Sequence, residues 1–345
     1  MPLVRQAITS DFHQEYLDCL AVFATATANT SIADINARRC VSETGRRLVV
    51  DGQLTNVSAQ PDTLLDTLVS NHLLMRSGDT PGYSFQHQQF QEWYASHYVE
   101  RLMLQASTDP AVLEQLKSEV LNLRPWTEAI LFAVERTARG NSNHKMACST
   151  AILSTLEVDP ILAADMIFRA TNDVWAQITT TVQRFVSRWH TPGKVDRAVR
   201  FMITSGRSEF FELLWPLLTH ESDQVRIVAL RAGSNFRPSV LGSDAADLIA
   251  GLPLEVRKNV LNGIVLNSGM DGLDLATAVA KKDSDPEVKA LVVDALSFQR
   301  ADRHIVDLLD DANEETFDIL AREGYIDYID NPAVQKSLDL QNPKL

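Results

Sequence analysis

The sequence predicts an all-α chain in two parts: a small helical module with a β-hairpin over 1–106, then stacked helix pairs over 107–345. Three observations predict it. Apolar residues recur at helical spacing nearly throughout, with no alternating strand pattern of any length. One short stretch, 73–86, reads as two strands flanking a Gly/Pro turn. From residue 195 onward, one motif returns at intervals of 30 to 32 residues, the signature of a chain built from repeated supersecondary units.

The first part is justified element by element. Over 14–28, Leu17, Leu20, Ala21 and Ala24 share one helical face. A second helix is expected over 32–41, opened by Ser31 as N-cap ahead of Ile32 and Ile35, and Gly45–Val50 reads as a short strand. Pro61 starts a third helix carrying Leu64, Leu65, Leu68 and Val69. LLMRSG, DTPG and YSFQ then form the hairpin, so 73–76 should pair antiparallel with 83–86. A helix over about 87–106 follows, with Phe90, Tyr94, His97 and Tyr98 along one side. Helices, a β-wing and a further helix are the plan of a winged helix.

Beyond 107 only helix pairs are expected. Asp109-Pro110, Asp159-Pro160, Thr191-Pro192, Leu252-Pro253 and Asp285-Pro286 each set Pro where a helix starts. Three segments align: SDQVRIVALRA at 222–232, PLEVRKNVLNG at 253–263 and DPEVKALVVDAL at 285–296. Val225-Arg226, Val256-Arg257 and Val288-Lys289 coincide, with an upstream instance at Val195-Asp196 and a degenerate one in TFDIL at 316–320. The flanking units open on a polar turn (Glu221-Ser222-Asp223, Asp283-Ser284-Asp285) suited to capping a helix and to its positive end. Val follows, pointing inward, with a cation beside it. A lone pair has two apolar faces, so neighbours must stack to bury them. The pattern resembles the HEAT or armadillo-type α-solenoid family in its shorter bacterial form, over roughly 110–340 and most strongly over 213–310. Tetratricopeptide and ankyrin landmarks are missing.

Composition narrows the function. Hydrophobic residues make up 45% of the chain, enough for a sizeable core. Residues 1–100 contain six Arg, no Lys and eleven acids, and the whole chain carries −13, so neither part attracts a phosphate backbone. Nucleic acid is not expected as a partner. Cys19, Cys40 and Cys148 are odd in number and widely spaced, which fits a reduced compartment rather than a disulfide framework or thiolate zinc site. The polar N-terminus and the lack of a long apolar run predict a cytoplasmic protein without a membrane partner.

The segment FQHQQFQEWYASHY at 85–98 resembles the end of the winged-helix module of NACHT-type (STAND) signal-transduction ATPases. Phe85, His87, Phe90, Gln91, Glu92, Trp93, Tyr94 and Ala95 fit that motif in order. RPWTEAILFAVE at 124–135 is similar to the helix that follows in the family, and LLDTLVSNHLLMRSG to the helix leading into the wing. The resemblance covers about 14–138. It implies a nucleotide switch in which His87 contacts the β-phosphate of ADP in a closed state, an imidazole being a hydrogen-bond donor to an anion. It also implies a terminal repeat array acting as sensor. No G-x-x-x-x-G-K-[ST] occurs and no apolar strand ends in paired acids, so the nucleotide-binding core is absent or lies on a stretch outside this sequence. The resemblance therefore implies a C-terminal part or split partner of such an ATPase, with ADP or ATP relevant only where a P-loop domain is supplied elsewhere.

Other chemistry reads as packing. His144 and Cys148 share a helix face, but MACSTAIL is a small-residue packing surface. His72, His87 and His97 lack ligand spacing for a metal, and Asp310, Asp311, Glu314 and Glu315 read as a charged helix junction. Trp126, Trp175, Trp189 and Trp215 read as inter-helix wedges. Arg184, Arg188, Lys194, Arg197 and Arg200 are the candidate interaction patch. The expectation is a non-enzymatic protein-recognition region that binds a partner or trigger on the solenoid, by resemblance within a bacterial signalling ATPase used in antiviral defence. The alternative is a free-standing HEAT scaffold.

Overall fold

The computed structural model describes residues 11–54, 61–77, 81–189, 195–231, 236–310, 312–324, 332 and 334–336, and it is mostly helical. Two compact units divide the chain, Met1–Thr179 and Thr180–Leu345, so the boundary expected at 106/107 falls inside the first unit.

The first unit opens with α1 (Asp11–Ala26), β1 (Ile32–Ala33), α2 (Asp34–Val50), α3 (Pro61–Ser70), β2 (Leu74–Arg76), β3 (Gly82–Phe85) and α4 (Gln88–Ala106). The hairpin forms where the sequence placed it, with Leu74 opposite Phe85, Met75 opposite Ser84 and Arg76 opposite Tyr83. A third, two-residue strand completes an antiparallel sheet of order β1-β3-β2, with Ile32 opposite Tyr83 and Ala33 opposite Gly82. Leu17, Leu20, Ala21, Ala24, Leu64, Leu65 and Leu68 form the expected buried faces of α1 and α3.

Two expectations are corrected. Ser31 does not cap α2: Ile32 is 1% exposed and paired into the sheet, the Asp34 amide donates to the Pro81 carbonyl (3.1 Å), and the helix begins two residues late. Gly45–Val50 is helix, not strand. The β-branched pair Val49-Val50 suggested a strand, but Ala37, Cys40, Val41, Thr44, Gly45 and Leu48 bury one continuous face at three- and four-residue spacing, and packing overrides local propensity.

β1 depends on a close backbone approach. A Cβ at Gly82 would stand 2.7 Å from the Ile32 carbonyl oxygen, which cannot move without breaking the strand pair. Gly82→Ala should cost about 2–3 kcal/mol, read as a lowered urea midpoint at unchanged slope. A change below about 0.5 kcal/mol would mean the pairing tolerates a side chain there.

Helix α4 is the spine of this unit and packs on α1 and, further along the chain, on α6 (Thr127–Ala138) and α7 (Ser142–Val158). Its buried residues are the small and aliphatic ones, Ala95, Ser96, Val99, Leu102, Met103 and Ala106. Small residues let helix axes approach closely; the bulky aromatics flank the contact. The unit also contains α5 (Pro110–Leu116), which continues into a π turn to Leu121, α8 (Pro160–Arg169) and the start of α9 (Asn172–Trp189). Asp109 and Asp159 cap the Pro-initiated helices, accepting from Ala111 N at 2.9 Å and Ile161 N at 3.0 Å, as their Asp-Pro pairs predict.

The second unit holds α10 (Val195–Ser205), α11 (Phe211–Leu218), α12 (Asp223–Arg231), α13 (Ala245–Ala250), α14 (Leu254–Asn267), α15 (Gly269–Lys282), α16 (Pro286–Phe298), α17 (Asp302–Leu309) and α18 (Glu314–Glu323). Helices pack on the next but one in two rows, α12-α14-α16-α18 and α13-α15-α17, with consecutive helices joining the rows. Gly263 allows a tight crossing, since its Cβ would meet the Leu230 side chain at 2.8 Å. The Asp285-Pro286 start is capped as expected, Pro253 stands just ahead of α14, and Thr191-Pro192 lies outside the described residues.

The repeat occupies equivalent places. Val225, Val256 and Val288 are each the third residue of α12, α14 and α16, and Arg226, Arg257 and Lys289 the fourth. Burial differs from the expectation: Val288 is fully buried, Val225 and Val256 only half, while Arg226 is 4% exposed. The degenerate unit is in register, with Thr316 and Phe317 as third and fourth residues of α18, both buried. Val195 is the first residue of α10, so the upstream instance is out of register.

Candidate functional site

The 85–93 motif folds as the end of β3 and the first turns of α4. Phe85 is buried and stacks on Tyr94 at 6.2 Å. Gln91 Nε2 donates to Thr25 Oγ1 of α1 (3.2 Å), and Glu92 accepts from Gln88 Nε2 (2.8 Å). Partial burial, opposed by that hydrogen bond, pushes the Glu92 carboxyl above its usual range. Trp93 is 41% exposed but held against α6, edge-on to Phe132 at 5.6 Å, with the Arg136 guanidinium 4.8 Å over its ring. Arg136 in turn holds Glu100 (2.6 Å) and Ser96 Oγ (2.9 Å), so the motif is locked onto α6.

His87 is different. It is exposed at the N-cap position of α4 in extended conformation (φ −136°, ψ 140°), and its side chain makes no cap hydrogen bond. Its ring meets the edge of Phe90, itself 38% exposed, at 5.4 Å. No acid occupies the first turn of α4, so the positive end of the helix dipole carries no side-chain countercharge.

The cationic candidates belong to the second unit. Arg184 and Arg188 share one exposed face of α9, four residues apart, and Arg197 and Arg200 one exposed face of α10. Lys194 lies outside the described residues. Beneath the arginines of α10, Ala198, Val199, Phe201 and Met202 are buried, with Phe201 edge-on to Trp189 (6.3 Å) and Phe210 (6.1 Å). Elsewhere in this unit, an apolar recess of about 470 Å³ is walled by Val199, Leu217, His220, Val225 and Val228. A polar groove of about 920 Å³ lies along α15 and α17, where His304 Nε2 meets Asp274 (2.8 Å) and Lys281 meets Asp307 (2.6 Å).

Of the groups set aside as packing, Cys148 lies in the core. Cys148 is fully buried and its thiol is pushed up to about 11 by burial, while the His144 ring nitrogen contacts Asn141 Oδ1 (2.8 Å). His97 belongs to a polar clamp missed in the sequence: Asp18 on α1, 2% exposed, meets His97 Nδ1 at 2.7 Å and Arg101 at 3.3 Å. The available signal was an acid beside Leu17, inside the apolar stripe of α1. The buried repeat cations were also missed. Arg257 Nη1 donates to the carbonyls of Ala250 (2.9 Å) and Leu252 (3.0 Å), and its Nε stands 2.8 Å from Asp283 Oδ2, an ion pair without hydrogen-bond alignment. Arg226 repeats the device one unit earlier, donating to the His220 and Glu221 carbonyls and pairing with Asp223.

Among the described residues no group of three or more His, Cys, Asp or Glu is arranged to hold a metal ion, and no helix is long and apolar enough to cross a membrane. Comparison of the chain with protein-family models, with curated proteins and with solved structures gives no match.

Proposed function

We propose that this chain is the recognition and sensor region of a NACHT-type signalling ATPase, with a winged-helix module followed by a HEAT-like array that binds a protein trigger. The recurrence of Val-cation at the third and fourth positions of α12, α14 and α16, helices that pack in succession, carries the reading. An array of that kind gives recognition an extended surface, and the exposed arginines of α9 and α10 are its cationic part. The order α1-β1-α2-α3-β2-β3-α4, with sheet order β1-β3-β2, supports the winged helix. Exposed His87 supports contact with a nucleotide-bearing domain. At this place the described residues supply the His87 imidazole and the start of α4, and the sequence holds no P-loop motif to complete a nucleotide site. Any such site is completed by a P-loop domain, and binding of the trigger to the array relieves the closed state. Antiviral defence is the proposed setting.

The missing P-loop also suits a second reading, a free-standing HEAT scaffold that never meets a nucleotide. ADP retention separates the two. Where a P-loop protein is encoded beside or upstream of this chain, the joint complex should retain ADP through purification. His87→Ala should speed ADP release about tenfold, the worth of one hydrogen bond to a charged group. Equal release from both complexes favours the scaffold.

A further inference from the structure

Arg300 and Arg303 line the groove between α15 and α17, are exposed, and have no ion pair among the described residues. An exposed arginine is ordinary; the backbone of Arg300 is not. The Arg300 amide donates to the Ser297 carbonyl (3.0 Å) and the Ala301 amide to the Leu296 carbonyl (3.1 Å), which closes the end of α16 with Arg300 in the left-handed region at φ 53°. Glycine fits that position without strain. The next helix of the row, α18, ends on Gly324 in the same conformation (φ 70°). At α16 the backbone therefore bears a strain that only the arginine side chain can justify, and that side chain lies on the groove.

One wall of the groove is a single face of α15 running from Met270 to Lys281, about 16 Å long. The other is the turn Gln299–Ala301 followed by α17. Asp274 meets His304 and Lys281 meets Asp307, contacts in the same order that set the two helices parallel. Arg300, four residues ahead of His304, thus shares one end of the groove with Met270, four residues ahead of Asp274. Met270 is 63% exposed. The acids facing the groove are occupied, Asp274 and Asp307 by these contacts and Asp302 by an interaction of its own. The unmatched charge is positive, in a chain that carries −13.

We propose that this groove binds an extended acidic peptide segment of a partner protein, its carboxylates on Arg300 and Arg303 and an apolar side chain against Met270 and Leu273. Arginine meets a carboxylate through paired charge-assisted hydrogen bonds. The wall of α15 matches about five residues of extended chain, and the groove stays open along that length where a small anion would fill one end. Screening by salt confines the attraction to the groove, so the overall negative charge does not cancel it.

A displayed library of short random peptides, selected on the full chain and counter-selected on Arg300→Glu/Arg303→Glu, tests this. Sequences kept by wild type should carry paired acids beside an apolar residue. The strongest of them, labelled with fluorescein and followed by polarisation, should bind about tenfold more weakly to Arg300→Gly and to Arg303→Gln. Arg300→Gly should also unfold at a higher urea midpoint than wild type, because the left-handed backbone is relieved. Weaker binding by a more stable chain is not damage to the fold; should Arg300→Gly unfold earlier, Arg303→Gln decides the binding. Arg184→Glu/Arg188→Glu/Arg197→Glu/Arg200→Glu should leave this affinity unchanged, so the fate of the groove is read apart from that of the arginines of α9 and α10. A library that returns no acidic sequence, an affinity unaltered by both single variants, or full displacement of the peptide by millimolar inorganic phosphate overturns the proposal.

Discussion

Arg257→Met should destabilise the second unit by about 3–5 kcal/mol, the cost of leaving one member of a buried ion pair without its partner. The Arg257 and Asp283 side chains are 13% and 5% exposed, so the Asp283 carboxylate left behind has little water to replace the guanidinium. The Ala250 carbonyl at the end of α13 and the Leu252 carbonyl just past it lose their donor in the same step. Adding Asp283→Asn removes the orphaned charge, so the double variant should recover about half or more of the loss. Urea unfolding followed by far-ultraviolet circular dichroism checks both, and a single-variant loss under about 1 kcal/mol would show that the pair is solvated.

Phe201→Ala should cost about 3–5 kcal/mol, whereas Arg197→Glu with Arg200→Glu, on the other face of the same helix, should stay within about 1 kcal/mol of wild type. Phe201 is fully buried between the edges of Trp189 and Phe210; deletion of its ring leaves a cavity the helices cannot fill. The two arginines are exposed, so charge reversal there changes the surface field and leaves the core intact. The contrast decides whether α10 presents its cationic side outward, which any recognition role for it requires. Comparable losses from both changes would place the arginines inside the packing.

What the sequence reveals follows from what each signal measures. Helical periodicity located the buried faces of α1 and α3, because Leu17, Leu20, Leu64 and Leu68 have no other way to leave water. Asp-Pro pairs located helix starts, because Pro lacks an amide where the first turn has none to use. β1 escaped, being two residues held by a neighbour 51 residues away (Ile32 against Tyr83) that no local pattern reports. Val49-Val50 misled for the opposite reason: local β preference spoke, while the deciding stripe ran back to Ala37.

At the candidate site, the motif order placed Phe85 at the end of the hairpin and Gln91 and Trp93 on the helix start after it, yet residue type alone did not separate exposed His87 from clamped His97. That difference rests on Asp18, remote in sequence and adjacent in space. In the repeats, Val and cation were read in the correct positions but with the wrong weight. Valine was expected to carry the burial, whereas Arg226 goes in at 4% exposure because the loop carbonyls of His220 and Glu221 ahead of α12 accept from its guanidinium.

Protein recognition through the second unit is tested most directly by affinity capture from the source organism with quantitative mass spectrometry. Wild type would be compared with Arg184→Glu/Arg188→Glu/Arg197→Glu/Arg200→Glu and with a first-unit control, Arg46→Glu/Arg139→Glu. The account predicts a protein enriched on wild type and control and lost from the quadruple variant. Identical captured sets from all three, with the quadruple variant folded, would contradict it.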